Sequence, residues 1–152
     1  MKELYRVEGI LNRGFVGQIT YTVCLEQPCR KLDIEFGFDK RRYEEADVTE
    51  ALIRETAEQC RREYGLETPD AEVRRAILSE MKTEIHTLAT LNDQFIGCVH
   101  KQLENRHMHY DGEDVSEGCI PQEIFEGVLK VTVLVFNVLK DGTHYALTVR
   151  GE

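Results

Sequence analysis

The sequence predicts an α+β domain in which helices cover one face of a mainly antiparallel, five-stranded sheet. Residues 2–38 alternate between apolar and polar, whereas residues 49–105 carry apolar side chains at spacings of three and four. Residues 127–150 contain two runs rich in β-branched and aromatic residues, one on each side of an Asp-Gly pair. A period of two is typical of half-buried strands, and the longer spacing is typical of amphipathic helices. The predicted order along a single domain, residues 1–152, is therefore β-β-β-α-α-β-β.

Three strands are predicted at the start of the chain. They are separated by Asn12-Arg13-Gly14 and by Gln27-Pro28, because glycine tolerates positive φ and proline cannot donate to a sheet ladder. In residues 31–38 the even positions are apolar, whereas Asp33 and Glu35 lie on the opposite face. Strands with one polar face indicate an antiparallel meander that is covered on one side only.

The first helix is predicted to begin near residue 49 and to end at Tyr64. Asp47 or Thr49 can cap it, because either side-chain oxygen can accept a hydrogen bond from a free backbone N–H. Gly65 follows it directly and suits the left-handed conformation that ends many helices. These signals predict a helix with a defined start and a defined end.

A second helix is predicted after Thr68-Pro69-Asp70, which supplies a cap, a proline at the first position and an acid in the first turn. Its apolar side chains recur at helical spacing from Val73 to Leu91. An unbroken helix to Asn105 would be roughly 55 Å long, which is long for a domain of this size. We therefore expect a break near Leu91-Asn92-Asp93 and a further helical segment beyond it.

The last two strands are predicted to form a hairpin over residues 127–150. Asp141-Gly142 is the signal, because a type I′ turn needs positive φ at both central residues. The first strand has an inner row that is expected to face the core, and it consists of Leu129, Val131, Val133 and Val135. Its second apolar row consists of Leu134, Phe136 and Val138.

The second row of this strand is exposed if helices cover only one face of the sheet. Burial of each of its side chains would stabilise the protein by ~1.5–3 kcal/mol. One interpretation is that a loop or helix of the same chain covers the row. The other is that Leu134, Phe136 and Val138 form a self-association or partner surface centred on Phe136.

Residues 105–122 are predicted to be the longest loop, because they contain few apolar anchors and two glycines. An His-x-His pair on an extended segment points both rings to one side, and imidazole and carboxylate groups bind metals. The candidate ligand-binding or metal-binding residues are His100, His107, His109, Tyr110 and Asp111. The chain has no H-E-x-x-H sequence, and no resident metal or cofactor is predicted.

The composition of the chain limits the cellular compartments and the classes of partner that are expected. The formal net charge of −9 disfavours nucleic acids and anionic membranes as partners. Charged residues in the first eight positions are unlike a signal peptide, and no apolar run reaches the ~18 residues of a membrane span. The five cysteines are odd in number, and none forms a C-x-x-C sequence. A cytoplasmic protein with reduced thiols is expected.

These observations favour a small, acidic, non-catalytic binding or adaptor protein that forms a homodimer through its sheet. The chain lacks the P-loop, G-x-G-x-x-G and G-x-S-x-G sequences that mark large enzyme classes. The alternative is a small-ligand-binding protein or enzyme. It would use a pocket between the helices and the sheet, near His100, His107 and His109.

Overall fold

The described part of the chain, residues 1–101 and 103–152 of a computed structural model, contains nine strands, two α-helices and one 3₁₀ helix. The strands are β1 (Lys2–Leu11), β2 (Gly17–Cys29), β3 (Lys31–Phe38), β4 (Glu84–Leu91), β5 (Gln94–Val99), β6 (Asn105–Asp111), β7 (Asp114–Val115), β8 (Phe125–Asn137) and β9 (Thr143–Gly151). The helices are the 3₁₀ helix Glu45–Asp47, α1 (Glu50–Tyr64) and α2 (Asp70–Ser79). The predicted α+β class with antiparallel strand pairing is confirmed.

The strands form two sheets rather than the single five-stranded sheet that was expected. Sheet A has the order β1-β9-β3-β6-β7, and sheet B has the order β2-β8-β4-β5. Their inner faces share one apolar core. Tyr110 of sheet A meets Phe125 of sheet B with ring centroids 5.2 Å apart, and the Tyr110 hydroxyl donates to the Ile96 carbonyl at 3.0 Å. Each sheet therefore covers the apolar face of the other, which is the role that the sequence assigned to helices.

The predicted meander of the first three strands is wrong. β1 and β3 both pair with β9 in sheet A, whereas β2 pairs with β8 in sheet B. Alternation identifies the apolar face of a strand, but it carries no information about the neighbour that completes its hydrogen bonds. The same alternation of apolar and polar residues fits two sheets that pack face to face and a single meander covered by helices.

The predicted hairpin over residues 127–150 is also wrong, because β8 and β9 belong to different sheets. Val138 and Leu139 are 1% and 3% exposed, so the chain buries apolar side chains before it reaches Asp141. The connection is consequently too long for a two-residue turn. The Asp141 carboxylate instead accepts a hydrogen bond from the Arg13 backbone N–H at 2.9 Å, which ties this crossover to the β1–β2 turn.

The predicted long second helix ends at Ser79, and residues 84–99 form the hairpin β4–β5. The expected break at Leu91-Asn92-Asp93 is the hairpin turn, where Asn92 and Asp93 have φ values of 50° and 66°. Ile85, Leu88 and Leu91 fit a helical spacing, but the side chains buried from β4 alternate, and they are Ile85, Thr87, Ala89 and Leu91. Pairing of β4 with β8 therefore selects the strand period of two over the helical spacing.

The predicted loop over residues 105–122 contains β6 and β7. Arg106, Met108 and Tyr110 are buried, whereas the two histidines between them face outward. This alternation of buried and outward residues is typical of a strand. It is hard to recognise in the sequence because one of the buried residues is an arginine.

The helices form a small second core at the links between strands and do not cover a sheet face as predicted. Thr49 caps α1 by accepting from the Leu52 N–H at 3.1 Å, and Gly65 ends it with a φ of 67°, as its sequence signals predict. The second core joins buried residues of α1 and α2 to Tyr43 and Leu139. Neither α-helix in residues 1–101 and 103–152 is long and apolar enough to cross a membrane.

Replacement of Leu129 by Ala should lower the free energy of unfolding by about 2–5 kcal/mol, because it leaves a cavity between the two sheets. Leu129 is 0% exposed, whereas its neighbour Val128 lies on the outer face of the same strand. Val128→Ala is therefore the matched control, and its effect should stay within about 0.5 kcal/mol. Urea titration of the three proteins measures both changes. Equal losses for the two variants would contradict a core on the Leu129 side of β8.

Candidate functional site

The outer face of sheet A carries a grid of charged and polar side chains. Strand register sets their positions, because Asp33 lies between His109 of β6 and Arg150 of β9. Glu35, two residues further along β3, lies between His107 of β6 and Thr148 of β9. Residues two apart on a strand share a face, so the alternation of β3 and β6 brings acids and imidazoles together.

We define the carboxylate–histidine cluster as Asp33, Glu35, His107, His109 and Arg150. His107 Nδ1 lies 3.0 Å from both carboxylate oxygens of Asp33, and His109 Nδ1 lies 3.9 Å from Asp33 Oδ1. On the other side, Arg150 Nη1 donates to Glu35 Oε2 at 2.7 Å and lies 3.5 Å from Asp33 Oδ2. The two carboxylates are thus held between imidazoles and a guanidinium.

Electrostatics in the cluster favour the charged forms of Glu35 and Arg150. Asp33 is only 8% exposed, and its carboxylate oxygens are within hydrogen-bonding distance of His107 and Arg150. Hydrogen bonds from Asn105 Nδ2, at 3.0 Å, and from Arg150 lower the pKa of Glu35. The hydrogen bond to Glu35 in turn raises the pKa of Arg150. Both shifts stabilise the charged forms of the pair.

Two of the predicted ligand-binding residues lie in this cluster, and three lie elsewhere. His107 and His109 point to the same side of β6, as the His-x-His pattern predicts. His100 lies beyond the end of β5, with its ring centroid 6.0 Å from that of His86. Tyr110 is fully buried in the core, and Asp111 pairs with Lys31 at 3.1 Å. Tyr110 therefore cannot lie at the mouth of a pocket.

Two surface depressions adjoin the carboxylate–histidine cluster. One has a volume of about 380 Å³ and is lined by residues from β5, β6 and the turn 116–118, including Cys98, His100, Arg106 and His107. The other, of about 350 Å³, lies over β3 and β9 and is lined by Arg6, Glu35, His144 and Arg150 among others. A third depression, of about 330 Å³, lies beside α1 and is lined by Leu52, Glu55, Tyr43 and Leu139 among others. None of the predicted histidines lines it, so His100 and His107 are separated from the helices.

Buried Arg106 separates the first depression from the core. Its guanidinium lies over the rings of Phe36 and Phe38, at 5.3 and 5.8 Å from their centroids. It donates to the carbonyl of Lys101 at 2.8 Å and to that of Ile85. Burial, together with the nearby charge of Arg41, lowers the pKa of Arg106 to about 10. The guanidinium remains charged at neutral pH and stabilises the link after β5.

The residues of the predicted interface row on β8 differ in exposure. Phe136 is 52% exposed and its ring packs on that of His86, with centroids 4.5 Å apart. Leu134 is half-buried beside His86 on the outer face of sheet B. Val138 is 1% exposed and belongs to the core. The exposed part of the row is therefore Leu134 and Phe136 alone.

Asp33, Glu35 and Arg150 are site residues that were not predicted from the sequence. Asp33 and Glu35 were placed on a common polar face, and alternation in residues 106–110 was a signal that could have placed the histidines on a strand. No local signal indicates that β3 lies between β6 and β9, because those strands are distant in sequence. The cluster becomes visible only with that strand order.

The chain was compared with known proteins. The profile of a family of unknown function, DUF6669, matches residues 1–152. The chain belongs to this family. No curated protein and no solved structure is significantly similar to this DUF6669 chain.

Replacement of Glu35 by Gln in the DUF6669 chain should lower the free energy of unfolding at pH 7 by about 1 kcal/mol, as expected for weakened hydrogen bonds to a charged group. The folded-state pKa of Glu35 lies below its ordinary value of 4.5. Its charge therefore stabilises the fold above that value, and this contribution is lost as the pH falls through the lowered pKa. Below pH 4.5 the wild type should lose stability more steeply than Glu35→Gln.

Urea titrations from pH 3 to pH 7 test this difference, with Glu58→Gln on the exposed side of α1 as the control for loss of one carboxylate. If the free energies of unfolding of the wild type and Glu35→Gln changed in parallel with pH, Asn105 and Arg150 would not stabilise the charged form of Glu35 in the folded state.

Proposed function

We propose that this DUF6669 chain is a non-catalytic binding or adaptor protein that works as a homodimer, joined edge to edge through β2 of sheet B. The observation that carries the proposal is the unprotected edge of this strand. A strand at the edge of a sheet presents unpaired backbone N–H and C=O groups, and natural proteins usually protect such edges.

Three of the four sheet edges have recognisable protection. β1 carries charged residues at Lys2, Glu3, Arg6 and Glu8, and its pairing with β9 shifts between Glu3 and Tyr5. β7 is two residues long. The edge of β5 is covered by residues 118–120, because Cys98 N–H donates to the Gly118 carbonyl at 3.0 Å and Ile120 N–H donates to the Ile96 carbonyl at 2.8 Å. Charges, short strands and covering segments all block edge-to-edge pairing.

The fourth edge, β2, lacks these features over residues 17–25. This stretch has no charged residue and no proline, and it is rich in the residue types that favour strands. Within the described residues, its ladder partner is β8 alone, so the opposite side of β2 offers backbone hydrogen-bonding groups. A long, uncharged edge of this kind favours addition of another strand.

A second copy of the same strand is the partner that fits this edge best. Antiparallel pairing of β2 with itself is compatible with a two-fold axis, so one uncharged surface serves both subunits. An axis near Tyr21 would bring Thr20 of one copy opposite Thr22 of the other. Each copy carries a net charge of −9, and contact through an uncharged stretch keeps the charged surfaces apart.

The exposed row of β8 is a weaker interface than the edge. Phe136 already contacts His86 of its own sheet, and Val138 lies in the core. Leu134 is only partly exposed, so Phe136 is the one largely exposed apolar side chain of this row. We therefore assign self-association to backbone pairing along β2 rather than to a contact centred on Phe136.

A cytoplasmic location belongs to the same proposal. All five cysteines are free thiols, and Cys24 on β2 is exposed. An exposed thiol on a self-associating strand suits a reducing compartment, because oxidation could crosslink neighbouring copies.

The double variant Thr20→Lys/Thr22→Lys should convert the dimer to a monomer. Both side chains are exposed, and in the paired strands each lysine would lie opposite a lysine of the second copy. Light scattering after size-exclusion chromatography should give twice the chain mass of 17.6 kDa for the wild type and 17.6 kDa for the variant. Far-UV circular dichroism of the variant should remain that of the wild type.

Phe136→Glu is the matched control, because it adds a charge to the outer face of the same sheet at an exposed position away from the edge. It should remain a dimer. If Phe136→Glu were monomeric and the lysine variant dimeric, the dimer interface would lie on the outer face of sheet B and not along the β2 edge. A monomeric wild type would overturn the proposal and favour the rival, a small-ligand-binding protein or enzyme that uses the depression beside His100 and His107.

A further inference from the structure

The outer face of sheet A combines carboxylate and imidazole groups at metal-ligand spacing. One ligand atom each from Asp33, Glu35 and His107 lies within 4.8 Å of the others. We propose that these three residues bind a divalent transition-metal ion of the Zn²⁺ class. The site lies on a different sheet from the β2 edge, so it stands independently of the proposed dimer.

The two carboxylates divide their oxygens between the metal site and its support. Glu35 Oε2 and Asp33 Oδ2 face Arg150, at 2.7 and 3.5 Å from its Nη1 atom. Asp33 Oδ1 lies 3.0 Å from His107 Nδ1, and Glu35 Oε1 lies 3.9 Å from His107 Nε2. Asp33 Oδ1 and Glu35 Oε1 therefore lie on the side from which an ion can approach, while Arg150 keeps the other oxygen of each carboxylate. Glu35 Oε1 also accepts a hydrogen bond from Asn105 Nδ2, and Asp33 Oδ2 also lies 3.0 Å from His107 Nδ1.

Supporting hydrogen bonds orient the ligands in the way that outer-shell groups do in metal sites. Asn105 Nδ2 donates to Glu35 Oε1 at 3.0 Å, and Arg150 holds the other oxygen of the same carboxylate. Asp33 is 8% exposed and its backbone is fixed by ladders on both sides. An ion therefore meets groups that are already held near each other, which reduces the entropy lost on binding.

Charge in the cluster also favours a divalent cation. Two carboxylates face a single guanidinium, so the three groups carry a net negative charge that attracts a cation without displacement of Arg150. Imidazole binds metals through an unprotonated ring nitrogen. The mixture of oxygen and nitrogen ligands suits zinc and related transition ions better than calcium, which takes six to eight oxygens.

His109 is the nearest candidate for a fourth ligand. Its Nδ1 atom lies 3.9 Å from Asp33 Oδ1, on the same side as His107. Its side chain is 39% exposed, so the ring has space to turn towards an ion. Three fixed ligands and one adjustable imidazole are consistent with the four-coordinate geometry that zinc prefers.

Isothermal titration calorimetry with ZnCl₂ tests the site in untagged, chelator-treated full-length protein. The wild type should bind one ion per chain saturably. His107→Ala should weaken binding at least about tenfold, because loss of an outer-shell partner alone typically costs that much and His107 is a proposed ligand. His144→Ala is the matched control and should bind as the wild type does. The two imidazoles are 46% and 47% exposed on the same sheet face.

Glu35→Gln provides a second test, because it preserves the shape of the side chain while removing the charge. It should also weaken zinc binding at least about tenfold, with a circular dichroism spectrum like that of the wild type. Absence of saturable binding to the wild type would overturn the proposal. So would unchanged binding in both His107→Ala and Glu35→Gln, which would assign the ion to other groups such as the thiols.

Discussion

The apolar interface between the two sheets is the constraint on which the rest of this structure depends. The inner row of β8 supplies fully buried Leu129, Val131 and Val133 at the centre of sheet B. Sheet A covers it with inner rows from β3, β6 and β9. Because each sheet hides the apolar face of the other, most polar residues of the strands lie on the two outer faces, with buried exceptions such as Thr87 and Arg106.

The two outer faces differ in chemistry, and this difference separates the two proposed activities. On sheet A, register across β6, β3 and β9 collects Asp33, Glu35, His107 and Arg150 into one charged cluster. On sheet B, β2 ends the sheet with an uncharged stretch at residues 17–25. The proposed metal site and the proposed dimer edge therefore lie on different sheets around the same core.

Structural features set by neighbouring residues were predictable from the sequence, whereas features set by distant strand pairing were not. The ends of α1 were predicted because Thr49 and Gly65 act on their own backbone neighbourhood. The inner row of β8 was predicted because alternation is also local. The interpretation of residues 84–99 as helix failed, since Ile85, Leu88 and Leu91 fit a helical spacing and long-range pairing with β8 decided otherwise. For the site, the shared side of His107 and His109 was predicted, but their acidic partners were not.

The sequence by itself determined the α+β class, the caps of the first helix and the apolar face of most strands. These properties follow from contacts within a few residues of each other. The tertiary structure alone decided that β8 and β9 part at Asp141 to enter different sheets, and that β3 lies between β6 and β9. Strand order is selected by the burial of apolar faces across the whole chain, so no short stretch encodes it. The cluster around Asp33 exists only because of that selection.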